Sequence, residues 1–234
     1  MAIEIKKTMG ADLNNFSSRL SVSLEKSLAE AVVNSIHAGA NSIDVQLLTS
    51  NSSFTSVKIV DNGEGFITEN LDAFFRLHSD HKKDKGGKGV GRATWYKYFD
   101  NICVISFFVE DKKGWKLHFN LPKNANESKV TKENVSLDNN KTIIELTAYH
   151  GDQLLGFNAN FFKQFLLKEL LVMLITKKEA GTQIAINISV IDDGQCVESD
   201  SITDADLPEI KRTVTFTLKL LGTTYDFGPV TKSV

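Results

Sequence analysis

The sequence predicts an α+β fold, a two-layer α/β sandwich of helices on a sheet. Three observations carry that expectation. An amphipathic helical segment and two alternating segments open the chain. A run of alternating segments separated by turn residues follows. One long apolar helix then interrupts the strands, where βαβ units would put a helix between every pair. The chain has 234 residues, 41% hydrophobic and 24% charged, enough to bury a sizeable core. Its formal charge of −2 excludes a strongly basic nucleic-acid coat or an acidic tail protein, while leaving room for a local basic loop.

Taken in order, Ile3 and Ile5 alternate as a first edge strand. From Ser23 to His37, Leu24, Leu28, Ala31, Val32, Ser35 and Ile36 recur at spacings of three and four, which predicts a helix. Ser23 suits its N-cap and Gly39 its C-terminal stop. Residues 42–48 and 56–60 alternate as strands, and Asp61 to Gly65 is a turn cluster. Residues 68–77 suit a helix with Thr68 as its cap, and 78–92 are a loop rich in glycine and lysine. An aromatic-rich helix is expected at 93–99, then strands at 102–109, 115–121, 128–135 and 142–149. A strong helix is expected at 161–176, with strands at 183–190 and 213–220. The Asp, Ser and Gly content of 192–209 marks that stretch as a linker.

Cys103 and Cys196 lie far apart and form no C-x-x-C or zinc spacing, so two reduced, partly buried thiols are expected. The N-terminus lacks a signal-peptide core, and the most apolar stretch, 161–175, is broken by Lys163, Lys168 and Glu169. A soluble, cytoplasmic protein without a membrane partner is the expectation.

Three local patterns carry chemistry. On the first helix, Glu30, Asn34 and His37 are spaced i, i+4, i+7 and share one face, with Lys26 and Ser27 on the same side. Such a face can be plain solvated surface. It can also pair a carboxylate base with a neutral oxygen ligand, because Mg²⁺ on a nucleotide takes most of its octahedron from phosphates and water. The second pattern is Asp61-Asn62-Gly63-Glu64-Gly65-Phe66. Asn-Gly is a hairpin signal, but a helix rather than a second strand follows. A calcium loop would need Asp or Asn where Gly63 stands. There remains a strand ending in an acid, with two glycines that let a flat ring approach the backbone. A carboxylate there can accept from an exocyclic amine, the group that distinguishes adenine.

The third pattern runs from Lys82 through Gly86, Gly87, Lys88, Gly89, Val90 and Gly91 to Arg92. Walker A chemistry needs Ser or Thr where Gly89 stands, and the Rossmann fingerprint needs a glycine where Thr94 stands and a strand before the loop. Glycines leading into a helix still expose backbone N–H groups to an anion. The lysines taken singly also suit a solvated loop.

Together these make E-x-x-x-N on a helix, D-x-G-x-G after a strand and G-x-G-x-G opening a helix. The series resembles the GHKL superfamily, the ATPases of DNA gyrase B subunits, HSP90-type chaperones, histidine kinases and MutL. Glu30 to Ala40 looks like the MutL form of the first motif, and the resemblance covers about residues 20–150.

It implies the Bergerat ATP-binding fold, a mixed, mostly antiparallel sheet with helices on one face. By it, Asp61 would bind the adenine amino group over Gly63 and Gly65, Asn34 would ligate Mg²⁺, and Glu30 would be the catalytic residue that polarises water. Gly87, Lys88, Gly89, Val90 and Gly91 would hold the phosphates of ATP, with Ser79 and Lys82 in the approach to them. Thr142 would be the strand threonine beside adenine. Two positions depart from the pattern: His37 stands where relatives carry aspartate, and Lys141 precedes Thr142 where glycine is usual.

The resemblance divides the chain into a Bergerat-type domain at 1–195 and, at 196–234, a linker with the start of a transducer-like domain. It implies a homodimer clamp in a longer protein, with a protein or DNA client set by further domains. Turnover by these 234 residues alone is expected to be slow, because relatives complete the site with a cation from the next domain. The rivals are a histidine-kinase catalytic domain, disfavoured by Glu30 at the hydrolase position, and a nucleotide sensor without turnover, disfavoured by intact Glu30 and Asn34.

Overall fold

Period-two alternation is realised in one nine-stranded sheet. The computed structural model describes residues 2–8, 20–75, 91–123, 127–152, 157–209, 213–220 and 223–231. The strands are β1 (Ala2–Thr8), β2 (Ser42–Ser50), β3 (Ser53–Asp61), β4 (Phe99–Glu110), β5 (Lys113–Pro122), β6 (Glu127–Asn134), β7 (Lys141–Tyr149), β8 (Ala185–Asp192) and β9 (Gln195–Ile202). Their order is β1-β6-β5-β4-β7-β3-β2-β8-β9. The β2–β8 pair is parallel, and the other neighbours are antiparallel. Strands β10 (Thr213–Leu220) and β11 (Thr223–Thr231) form a separate antiparallel ribbon.

The helices are α1 (Leu24–His37), α2 (Thr68–Phe75), α3 (Gly91–Trp95) and α4 (Ala159–Glu179). They cover one face of the sheet. Helix α1 buries Leu28, Ala31, Val32 and Ile36, and α4 buries Phe162, Leu166, Leu170 and Leu174. Both stripes join the inward residues of the strands, such as Val45, Ile59, Val104, Ile144 and Ile188, in one core. The opposite face carries cross-strand polar pairs, among them Lys58 with Glu145 at 3.1 Å and Asn187 with Asp44 at 2.7 Å. This is the two-layer α/β sandwich that the element order predicts, with the mixed, mostly antiparallel sheet that the resemblance implies.

Ser23 caps α1, its Oγ accepting from the Lys26 N–H at 3.3 Å. Gly39, at φ +77°, turns the chain out of that helix. Thr68 is held differently from its expected role as a cap. Its backbone N–H donates to Glu110 Oε1 on β4 at 2.7 Å, and Lys132 holds the other carboxylate oxygen at 2.5 Å. A strand carboxylate thus serves the start of α2, where the helix dipole favours negative charge. The Lys7–Asp72 ion pair ties the same helix to β1.

Three expectations are corrected. The aromatic helix stops at Trp95, and Phe99 opens β4 by pairing with Tyr149 of β7. Aromatic side chains suit a half-buried strand as well as a helix, and the β7 partner decides the matter here. The expected linker at 192–209 contains β9, which carries the sheet past residue 195 by pairing with β8. Asp193 and Gly194 join these two strands with φ +46° and +85°, the two-residue turn that matches strand twist. Cys196 is exposed rather than partly buried; both cysteines are free thiols. No helix among the described residues is long and apolar enough to cross a membrane.

Ala148 sits at φ +57° within β7, a conformation that costs a residue with a Cβ about 1–2 kcal/mol. Ala148→Gly is expected to stabilise the protein by ~0.5–1 kcal/mol after the loss of chain entropy, raising Tm by ~2–4 °C per kcal/mol. Calorimetric melting checks this, and a lower Tm would contradict it.

Candidate functional site

Strand register assembles a polar row inside an apolar face. Asp61 on β3 stands opposite Thr142 on β7, and Thr142 opposite Ser106 on β4. Directly opposed side chains on one face of a sheet approach to about 4.5–5.5 Å at Cβ. All three are buried, at 6%, 4% and 0% exposure, among Ile43, Ile59, Val104, Phe108 and Ile144. Ser106 and Thr142 hydroxyl oxygens lie 2.9 Å apart, and Ser106 Oγ accepts from the Phe66 N–H at 3.1 Å.

The acid is oriented from two sides. Ser35 Oγ of α1 donates to Asp61 Oδ2 at 2.8 Å, and the Gly63 N–H donates to Oδ1 at 2.9 Å. Burial pushes the Asp61 carboxyl above the ordinary carboxylate range, and the bonds from Gly63 and Ser35 pull it back only in part.

The turn after Asp61 is clamped to the end of α1. Asn62 Oδ1 accepts from the Asn41 and Ser42 N–H groups at 3.0 and 3.1 Å, and the Glu64 N–H donates to the Ala38 carbonyl at 2.9 Å. Both glycines are demanded by this packing. A Cβ on Gly63 would lie 2.8 Å from the Ala38 oxygen. Gly65 has φ +77°, and its Cβ would lie 2.7 Å from Phe108 Cβ and 2.8 Å from Ser106 Oγ. Asn70 Nδ2 closes the turn on the Gly65 carbonyl at 2.9 Å.

Glu30, Asn34 and His37 are half-buried along α1, the helix whose Ser35 reaches Asp61. Lys26 pairs with Glu169 of α4 at 2.9 Å. That bond, and less strongly the charge of Glu30, raises the lysine's affinity for its proton. Ser27 is fully buried, its Oγ donating to Thr94 Oγ1 at 3.1 Å and its carbonyl accepting from Trp95 Nε1 at 2.9 Å. These bonds place α3, which begins at Gly91, against α1.

Asp61, Gly63, Gly65 and Thr142 therefore meet at one place. Ser79, Lys82, Gly87, Lys88, Gly89 and Val90 lie outside the described residues. Ser35 and Ser106 are absent from the motif reading, which counted Ser35 only in the apolar stripe of α1. Strand parity is the signal that finds Ser106: it falls in step with buried Ile102, Val104 and Phe108.

A family model described as "Histidine kinase-, DNA gyrase B-, and HSP90-like ATPase" matches residues 22–150, more than half of the chain. That span contains Glu30, Asn34, Asp61, Gly63, Gly65, Ser106 and Thr142. Among solved structures, the chain is similar to one described as "Crystal Structure of N terminal domain of a DNA repair protein". The two share 20% identity with a TM-score of 0.47, over 82% of this chain and 55% of that one, so this chain spans about half of that structure's length. No curated protein matches the chain.

Proposed function

Because the chain belongs to the histidine kinase-, DNA gyrase B- and HSP90-like ATPase family, we propose that it binds ATP with Mg²⁺ and hydrolyses it. The observation that carries this reading is the buried Asp61 carboxylate, held by Ser35 and Gly63 and set beside buried Thr142. A buried charge without an ion-pair partner is expensive, and an exocyclic amine would supply it with a strong, charge-assisted donor.

In this reading Asp61 accepts from the adenine amine, while Gly63 and Gly65 hold the turn that forms the pocket floor. Glu30 orients and polarises the attacking water. Among the described residues no group of three or more His, Cys, Asp or Glu side chains is placed to hold a metal. Mg²⁺ would then take its oxygens from the phosphates, water and Asn34. The metal, when bound, neutralises charge that develops on the phosphoryl oxygens. The Gly87–Gly91 backbone and the start of α3 hold the phosphates, with Ser79 and Lys82 nearby. The output we propose is a conformational clamp closing a homodimer in a longer protein, with residues toward Val234 leading into a following domain.

Asp61→Asn separates this role from a structural one. Its raised pKa means that the folded state holds the proton more firmly than the unfolded chain does. Stability from that proton is present at acid pH and is lost as pH rises through the folded-state pKa. Above that pKa the ionised acid costs stability, so there Asp61→Asn should melt at the same temperature or higher. ATP affinity should fall by about tenfold or more, as expected for losing a charge-assisted bond. Calorimetric titration with ATP and Mg²⁺ measures it; equal affinity in both proteins would overturn the adenine assignment.

A further inference from the structure

The hydroxyl chain behind Thr142 has a direction, and that direction selects the ligand. The Phe66 N–H can only donate, so Ser106 Oγ is an acceptor in that 3.1 Å bond. Among the described residues, the other polar contact of Ser106 Oγ is Thr142 Oγ1 at 2.9 Å. Ser106 is fully buried, so water does not take its proton, and the Ser106 O–H points at Thr142 Oγ1. Thr142 Oγ1 is then the acceptor of that bond. Its own proton has no acceptor among the described residues, although the residue is 96% buried by its 4% exposure. A buried donor left unmade is costly.

We propose that Ser106 is a specificity-determining residue that fixes the Thr142 hydroxyl as a donor toward a ring nitrogen of the bound base, directly or through one water. Asp61 beside it offers only acceptor oxygens, each already oriented by Ser35 or Gly63. The pair therefore presents one acceptor and one donor side by side. Adenine answers with an amine donor next to the ring acceptor N1. Guanine answers with a carbonyl next to a protonated N1, wrong at both positions. The relay starts at Phe66, in the turn that Gly65 brings against β4, so folding of that turn sets the polarity of the base contact. The inference rests on the adenine site proposed above and adds the residue that sets its proton direction.

Calorimetry with ATP and with 1-deaza-ATP, in which a C–H replaces ring N1, tests it. Wild type should bind ATP about tenfold more tightly than the deaza analogue, the scale of losing one buried hydrogen bond. In Ser106→Ala, ATP should weaken by about three- to tenfold and the analogue by much less, so that the ratio falls toward one. Ser106→Thr, which keeps the hydroxyl, should restore discrimination. Thr142→Val should also bring the ratio toward one, and adding Ser106→Ala to it should change the ratio no further.

Equal weakening of both ligands in Ser106→Ala would assign Ser106 a structural role alone and overturn the proposal. So would an unchanged ratio. If Ser106→Ala fails to fold, the near-isosteric Ser106→Cys, a weak donor, replaces it and must show the same narrowing. Binding of neither ligand by wild type would instead remove the ATP reading itself, an outcome distinct from loss of discrimination.

Discussion

Glu30→Ala is expected to bind ATP nearly as wild type does and to lose turnover by ~10²-fold or more, the usual contribution of a positioned general base. A carboxylate that orients water acts chiefly in the transition state, so kcat should fall without a matching loss of affinity. The residue lies half-buried on α1, one turn from Lys26 and one turn from Asn34. Asn34→Ala should behave differently, weakening Mg²⁺-dependent binding as well as turnover, because a metal held by Asn34 would neutralise phosphate charge in the bound ground state too. Phosphate release measured beside calorimetric titration separates the two variants. Wild-type turnover in Glu30→Ala would place the base elsewhere, whereas no turnover by wild type itself would favour a nucleotide sensor that does not hydrolyse. If the proposed following domain completes the site, the rate of wild type should rise when a longer piece of the protein supplies it.

Gly65→Ala is expected to destabilise the protein strongly. Two costs add at this position. The backbone has φ +77°, which disfavours any Cβ by about 1–2 kcal/mol. The added atom would also lie 2.7 Å from Phe108 Cβ and 2.8 Å from Ser106 Oγ, on two fully buried residues, and overpacking of that kind costs a further ~1–3 kcal/mol. A total near 3 kcal/mol is a large share of a typical domain's stability. Gly39→Ala is the internal control: its φ is also +77°, yet nothing lies within 4 Å of the added Cβ. It should cost only the conformational part. Urea unfolding of both variants checks the difference, and equal losses would show that Gly65 does not press on β4. Nucleotide binding should fail in Gly65→Ala even where the fold survives, because the turn carries Phe66 and its bond to Ser106.

Period and punctuation alone locate most elements here. The stripe from Leu24 to Ile36 can bury itself only as a helix, and Ser23 and Gly39 mark its ends through side-chain and backbone chemistry that acts within four residues. Strands β2 to β8 announce themselves by alternation. The missed strand β9 also had a local sign: Asp193-Gly194 is a strong two-residue hairpin signal, outweighed in the expectation by the polar residues around it. Those residues are polar because β9 is an edge strand, with Val197 62% exposed. An edge strand needs no apolar alternation on both sides.

The amino-acid sequence by itself determined the helix that carries Glu30 and Asn34, the strand that ends at Asp61 and the two-layer α/β class, because each depends on residue type and short-range spacing. Tertiary structure alone decided which polar groups meet. Asp61, Thr142 and Ser106 come from three strands separated by tens of residues, and only strand register makes them one row. Ser35 and Ser106 look in the sequence like small residues in apolar stripes. Their hydroxyls acquire partners when α1 is laid across β3 and when the turn at Gly65 closes on β4. The grip of Glu110 on the start of α2 has the same origin: a carboxylate 42 residues away fills a place that local pattern gave to Thr68. Buried polar atoms must find partners wherever the fold supplies them, and long-range register, which short-range pattern does not encode, determines where that is.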